Sequence, residues 1–330
     1  MNNLVNPNLK QQNFREAMQR ISPFVHNTPL ERNRTISEIT GGQVYFKLEN
    51  MQKTGSFKIR GAANKIFSLP KHEAVCGVIS ASAGNHAQGV AWAANACGVP
   101  SIVVMPIHAP KAKIKATENY GAQVVLHGQS YYEAYQYARF LQNERKMTFI
   151  HAFDDEAVIA GQGTVALEIM SSLHDVDTLI APIGGGGLMA GLAACAKQYN
   201  PKIKVIGVQA AGAAAMFNSL EAGSINCLTE VKTIADGIAV KRPGDITFRY
   251  IQQYVDEVVL VKEEEIAEGI LFMLERGKMI TEGAGVSGVA ALLANKIDVS
   301  GRKTAVVVSG GNIDPLTLSS IIANKYQQVS

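Results

Sequence analysis

In the stretch KTGSFKIRGA, residues 53–62, Lys58 stands between Phe57 and Ile59 just after a Gly-Ser turn. Lysine is among the residues least often buried, yet its neighbours here are apolar or small. A lysine that loses part of its hydration has a lowered pKa and becomes a usable amine nucleophile. Taken alone, Lys58 reads as an ordinary surface residue on the first turn of a helix; three further segments make the chemical reading the better one.

The first is IGGGGLMAG, residues 183–191. Glycine runs also occur in linkers, but a linker is not flanked by a buried strand and an apolar helix. Placed between those elements, Gly184, Gly185, Gly186, Gly187 and Leu188 can hold an anion on backbone N–H groups alone. No Lys-Ser/Thr follows, so this is not a nucleotide-hydrolysing P-loop, and the dinucleotide GxGxxG spacing is missing. The second segment is SASAGNHAQGVA, residues 80–91, where Ser82, Gly84 and Asn85 sit at a strand-to-helix turn. Ser82 or Asn85 can serve as an N-cap, which explains one polar residue and not the cluster; the amides of this helix start suit a substrate carboxylate. His86 tempts as a base, but a lone histidine at a helix start is more often structural and is left out of the catalytic set. The third is VVVSGGN, residues 306–312, where Ser309 ends a strand and two glycines allow close backbone approach. An amine, a phosphate cradle and a polar crevice together suit pyridoxal 5'-phosphate, with Lys58 as the tether.

The elements that position these residues follow from periodicity. Strand-like runs at 77–82, 101–106, 122–128, 147–153, 177–183, 202–210, 257–261 and 303–309 alternate with helical segments, one of them beginning at 163. Continuous apolar strands alternating with helices predict parallel sheets covered on both faces, in two doubly wound α/β domains. Ligands in such folds sit beyond the carboxyl ends of the strands. The 330 residues are 47% hydrophobic and 18% charged with a net charge of +3, a composition for large cores with no basic stripe for nucleic acid. The N-terminal stretch has no apolar leader core and no run reaches the length of a membrane span, so a soluble cytoplasmic protein is expected. Cys76, Cys97, Cys195 and Cys227 form no CxxC pair and are read as small buried hydrophobes.

At these motifs the sequence resembles the fold-type-II pyridoxal phosphate enzymes, related to the tryptophan synthase β chain. The likeness is to the serine/threonine dehydratases and serine racemases, above all the catabolic threonine dehydratases. The matching segments are KLENMQKTGSFKIRGA, SASAGNHAQGV, VIAGQGTVALEIM, PIGGGGLMAG, ADGIAVKRPGD and VVVSGGNID. The resemblance implies that Lys58 carries the cofactor, Phe57 lies against it and Asn85 meets its phenolic oxygen. Gly184, Gly185, Gly186, Gly187 and Leu188 would take its phosphate, and Ser309 would face its pyridine nitrogen. The substrate would rest on Ser82, Ala83, Gly84, Asn85 and His86. A small substrate-closing domain, residues 71–153, would be inserted in a large cofactor-binding domain of residues 1–70 and 154–330. A neutral hydroxyl opposite the ring nitrogen makes a weaker electron sink than a carboxylate would, which favours prompt β-elimination over transamination. The implied reaction is dehydration and deamination of L-threonine to 2-oxobutanoate and ammonia, with Lys58 as general base and L-serine as a further substrate, in threonine catabolism or isoleucine biosynthesis.

Departures from the family pattern sharpen this. Racemases carry a second serine where this chain has Ala83, and two-faced proton transfer needs a group on each face. Racemases also hold a divalent cation with two acids where Gln209 and Ala215 stand here, so no metal is expected there. The chain stops soon after GGNID, which implies no isoleucine feedback. Lys53, Thr54, Gln88, Tyr120 and Asn312 match positions that line an AMP-type nucleotide site in relatives, and a homodimer or homotetramer is implied. Rival readings are dehydration of serine, threo-3-hydroxyaspartate or a compatible-solute (hydroxyectoine-pathway) intermediate; then racemisation; and last a non-catalytic cofactor-binding protein. Phe153 lies in a segment that borders the substrate in this family, and an aromatic there fits a small apolar β-substituent.

Overall fold

Runs such as Val78–Ala81 and Ser101–Met105 have no polar face to offer water, and every residue in them is buried, as in strands covered by helices on both sides. The computed structural model describes residues 7–327; the reading of the N-terminus as no secretory leader falls partly on residues 1–6, outside the described residues. The strands are β1 (Leu30–Arg32), β2 (Gln43–Leu48), β3 (Val78–Ala81), β4 (Ser101–Met105), β5 (Gln123–Leu126), β6 (Thr148–Phe149), β7 (Thr178–Pro182), β8 (Lys204–Ala210), β9 (Glu257–Val261) and β10 (Lys303–Val308). Six form one sheet in the order β1-β2-β10-β7-β8-β9 and four form another in the order β5-β4-β3-β6. All pairings are parallel except β1 with β2. The expected α/β class with mainly parallel sheets holds. Among the described residues no helix is long and apolar enough to cross a membrane.

Three differences from expectation have local causes. The strand expected over 147–153 pairs only at Thr148 and Phe149, because the chain then turns so that His151 Nδ1 accepts from the N–H groups of Phe153 and Asp154 at 3.2 and 2.8 Å. The helix expected from 163 begins at Glu156, started by Asp155, whose carboxylate accepts from Ala157 N and Val158 N at 2.8 and 3.1 Å. Gly161 within it does not break the helix: a Cβ there would lie 2.5 Å from the Arg60 carbonyl oxygen, so it lets two helices touch. Of the four cysteines only Cys195 is buried; Cys76, Cys97 and Cys227 are exposed, the first two at helix ends.

The helix Lys58–Phe67 is fixed by a buried charge cluster. The Arg60 guanidinium bonds Glu49 through Nε and Nη2, each at 2.8 Å, and Glu168 through Nη1 and Nη2 at 2.6 and 2.8 Å. Lys47 Nζ completes it, donating to Glu168 at 2.5 Å and to the Thr28 carbonyl at 2.6 Å. Two cations and two anions cancel, and Arg60 and Glu49 are fully buried. Burial, the largest single effect, would raise the Glu49 pKa, but the Arg60 charge and hydrogen bond, with Lys47 and Thr28, together outweigh it and hold the carboxyl below its ordinary value. Removing one partner of such a cluster strands a buried charge, at a cost of roughly 3–5 kcal/mol. Arg60→Met should therefore lower the unfolding free energy by about that amount in urea titration. Because the Glu49 pKa is depressed in the folded state, its contribution is complete above the ordinary carboxyl range and is lost as pH falls through the folded value.

Candidate active site

Three strand ends and one helix start converge. Lys58 opens its helix with Phe57 as N-cap, and Phe57 N–H donates to the carbonyl of Ser309, just past β10, at 3.1 Å. A bridge between Ser56 and Gly310, and Gly311 N–H donating to the Gly55 carbonyl at 2.9 Å, zip the same two segments together. From the smaller sheet, the helix Asn85–Ala96 lies so close that a Cβ on Gly89 would be 3.2 Å from Lys58 C. The expected side-chain cap is not used: Gly84 is the N-cap, and the Ser82 hydroxyl accepts from Gly84 N–H at 3.2 Å. Ala83 is half-buried beside it.

Lys58 as a residue is half-buried, and its Nζ lies inward, donating to the Ala152 carbonyl at 3.0 Å and standing 5.2 Å from the Phe57 ring. Loss of hydration lowers its pKa to about 8, with the Glu282 charge partly opposing the shift. A helix N-terminus also disfavours a cation. His86 is buried, its Nε2 bonded to the Ile150 carbonyl at 2.9 Å; burial and then the nearby Lys58 charge drive its pKa down to about 3.

Asn85 stands in a relay of side chains. Its Nδ2 donates to Glu282 Oε1 at 2.7 Å, and its Oδ1 accepts from Asn312 Nδ2 at 2.7 Å. Asn312 Nδ2 also reaches the Thr54 carbonyl at 2.8 Å. One Asn85 N–H is left over. Glu282 is 3% exposed and caps the helix Gly283–Leu293. Burial, reinforced by Asp236, raises its pKa to about 7. The sequence reading missed Glu282, although a lone charge before the small and apolar run GAGVSGVAALL is the same signal that picked out Lys58.

At the end of β7, Gly185, Gly186, Gly187 and Leu188 are buried, and their N–H groups reach no acceptor among the described residues. Buried backbone donors at a helix start require a partner. Only glycine fits here against Phe153: a Cβ at Gly185 would stand 2.4 Å from its ring, and one at Gly187 2.8 Å from its Cβ. Phe153 packs edge-on against His151, with centroids 4.7 Å apart. The donors fit a phosphate, and the amine fits an aldehyde.

Of the residues matched to a nucleotide site, Thr54 and Asn312 lie behind Asn85, and Gln88 is buried in its helix. Lys53 is exposed, its ammonium 4.9 Å over Trp92 and its carbonyl accepting from the Tyr120 hydroxyl at 3.4 Å. Gln209, at the position where racemases hold a metal, accepts from Phe217 N–H at 2.9 Å.

The chain belongs to the family described as pyridoxal-phosphate dependent enzyme, whose model matches residues 21–311. It is a cofactor-dependent enzyme of the fold-type-II class. It is 52% identical to the L-threonine ammonia-lyase of Thermotoga maritima over 94% of this chain and 77% of that protein. It is 46% identical to the catabolic L-threonine dehydratase TdcB of Escherichia coli K12, covering 93% of this chain and 94% of that one. Among solved structures, maize serine racemase superposes with a TM-score of 0.91 at 35% identity, over 97% of this chain and 98% of the other.

Attachment of an aldehyde requires neutral Lys58. Uptake of pyridoxal 5'-phosphate by the cofactor-free chain, followed by its visible absorbance, should accelerate with pH with its midpoint near 8, the lowered Lys58 value, instead of near 10.5, the ordinary one. Because Glu282 raises that pKa, Glu282→Gln should move the midpoint to lower pH.

Proposed function

We propose that this enzyme is an L-threonine ammonia-lyase, converting L-threonine to 2-oxobutanoate and ammonia and accepting L-serine as a second substrate. The observation that carries the reading is the pairing of one low-pKa amine, Lys58, with Ala83 where a second proton-carrying side chain would be needed for racemisation. Identities of 52% and 46% to proteins named for threonine dehydration support it.

Lys58 would hold pyridoxal 5'-phosphate, with the N–H groups of Gly184, Gly185, Gly186, Gly187 and Leu188 on its phosphate. Phe57 would lie against the ring, Asn85 at the phenolic oxygen and Ser309 at the pyridine nitrogen. When bound, the cofactor supplies an electron sink that acidifies the Cα–H of an amino acid. The amides of Ser82, Ala83, Gly84, Asn85 and His86 seat the substrate carboxylate at a helix N-terminus. Lys58, once released, takes the Cα proton as general base, being largely neutral a little above pH 8. Phe153 and His151 border the space for the β-substituent, where an aromatic wall suits a methyl group. Loss of the β-hydroxyl as water, followed by hydrolysis of the released enamine, balances the reaction.

The smaller sheet draws all its strands from residues 78–149, which supports taking 71–153 as a substrate-closing domain inserted between 1–70 and 154–330. An AMP-type effector over Lys53, Thr54, Gln88, Tyr120 and Asn312, in a homodimer or homotetramer, completes the proposal; the exposed Lys53, its ammonium over the half-buried Trp92, supports it. An AMP titration should raise activity, and unchanged activity and oligomer size would remove that part.

A coupled keto-acid assay across threonine, serine and hydroxyaspartate tests the function. Threonine should be the better substrate or equal to serine, and chiral analysis of the serine reaction should give no D-serine; appreciable D-serine overturns the role given to Ala83. Lys58→Ala should lose both turnover and the visible absorbance, and full activity in that variant would end the proposal.

A further inference from the structure

We infer that Thr247, seated by Asp154, is a positioning residue for the anion cradle: its hydroxyl fixes the peptide between Gly185 and Gly186 so that the Gly186 N–H faces a bound phosphate. The inference rests on the reading of residues 184–188 as the phosphate cradle. A peptide flanked by two glycines can rotate at little steric cost, and Gly186 already sits at a φ of 102°. Rotation would matter, because in a trans peptide the carbonyl and the following N–H point opposite ways. Flipped, this peptide would present an oxygen to the anion in place of a donor.

Thr247 prevents the flip. It is fully buried, and its hydroxyl has one proton to give. The Gly185 carbonyl lies 2.6 Å away and the Gly244 carbonyl 3.3 Å, so Gly185 takes it. Gly244 N–H adds a second, longer bond to the same oxygen at 3.3 Å. Thr247 in turn is held from across the chain. Asp154 Oδ1 accepts from Ile246 N–H at 2.8 Å and Thr247 N–H at 3.1 Å, and Oδ2 from Asp245 N–H at 3.0 Å. The helix Asp245–Tyr254 has Gly244 as its N-cap and no side-chain cap of its own, so this carboxylate does the capping. Phe153, the residue before Asp154, covers the other side of the glycine turn. The peptide is clamped between Phe153 and Thr247.

Titration of the cofactor-free chain with pyridoxal 5'-phosphate and, separately, with pyridoxal, which lacks the phosphate, tests this through visible absorbance. Thr247→Val should weaken binding of the phosphate form about tenfold, the scale of one hydrogen bond to a charged ligand, and leave pyridoxal binding unchanged. Thr247→Ser should restore it. Asp154→Asn, which keeps one acceptor, should show a smaller loss with the same selectivity, and it serves should Thr247→Val fail to fold. Equal losses for both ligands, or none for the phosphate form, would overturn the inference. A wild-type chain that binds neither ligand would instead overturn the cofactor reading on which the inference stands.

Discussion

The Arg60 guanidinium, clamped between Glu49 and Glu168 without access to water, decides where the reactive amine stands. Residues two apart on a helix are roughly 200° apart around its axis. An Arg60 locked inward therefore turns Lys58 to the opposite side, toward the Ala152 carbonyl. The cluster joins β2, which precedes Glu49, to the helix that bears Glu168. Such a cluster adds little net stability over an apolar core, yet it is costly to break, so the helix has one seat. Close contact at Gly161, where a Cβ would strike the Arg60 carbonyl, reinforces that seat sterically.

From this fixed point the crevice is built largely from interactions that span the chain. Asn85 comes from the smaller sheet, and Glu282 and Asn312 come from segments beyond β9 and β10. A primary amide left to itself can present either its oxygen or its nitrogen to a ligand. Here the donor at Oδ1 and the acceptor at Nδ2 allow one orientation, so Asn85 offers an N–H to whatever lies beyond it. The glycine turn follows the same logic, with Thr247 orienting a peptide as Asn312 and Glu282 orient an amide.

This division explains what could be read from the sequence. Lys58, the glycine run, Asn85 and Ser309 are local signals, each a polar or glycine residue set at a strand or helix end. The strand expected over 257–261 coincides with β9 for the same reason, since five apolar-rich residues between turn signals need nothing distant. Asp154 and Thr247 were not singled out, because a capping carboxylate 91–93 residues from the amides it caps leaves no local pattern. β1 and β2 were missed too; β2 carries Lys47 among its buried residues, and that buried charge makes sense only beside Glu168. The early start of the Glu156–Ser172 helix was hidden by Gly161 and Gly163, which look like helix breakers until the neighbouring helices are in place.

A cradle made of backbone amides, as proposed for the phosphate, has an electrostatic consequence. A lysine or arginine in the cradle would add a second full charge near Lys58 and depress its pKa further. Peptide dipoles supply positive potential without an ionisable proton, so the amides themselves contribute the same potential at every pH near neutrality. What does titrate there is the pair with shifted values, Lys58 near 8 and Glu282 near 7. In the proposed site the groups that would hold the anion and the groups that titrate are therefore separate: the cradle amides carry no proton to lose, while Lys58 and Glu282 change charge near neutrality.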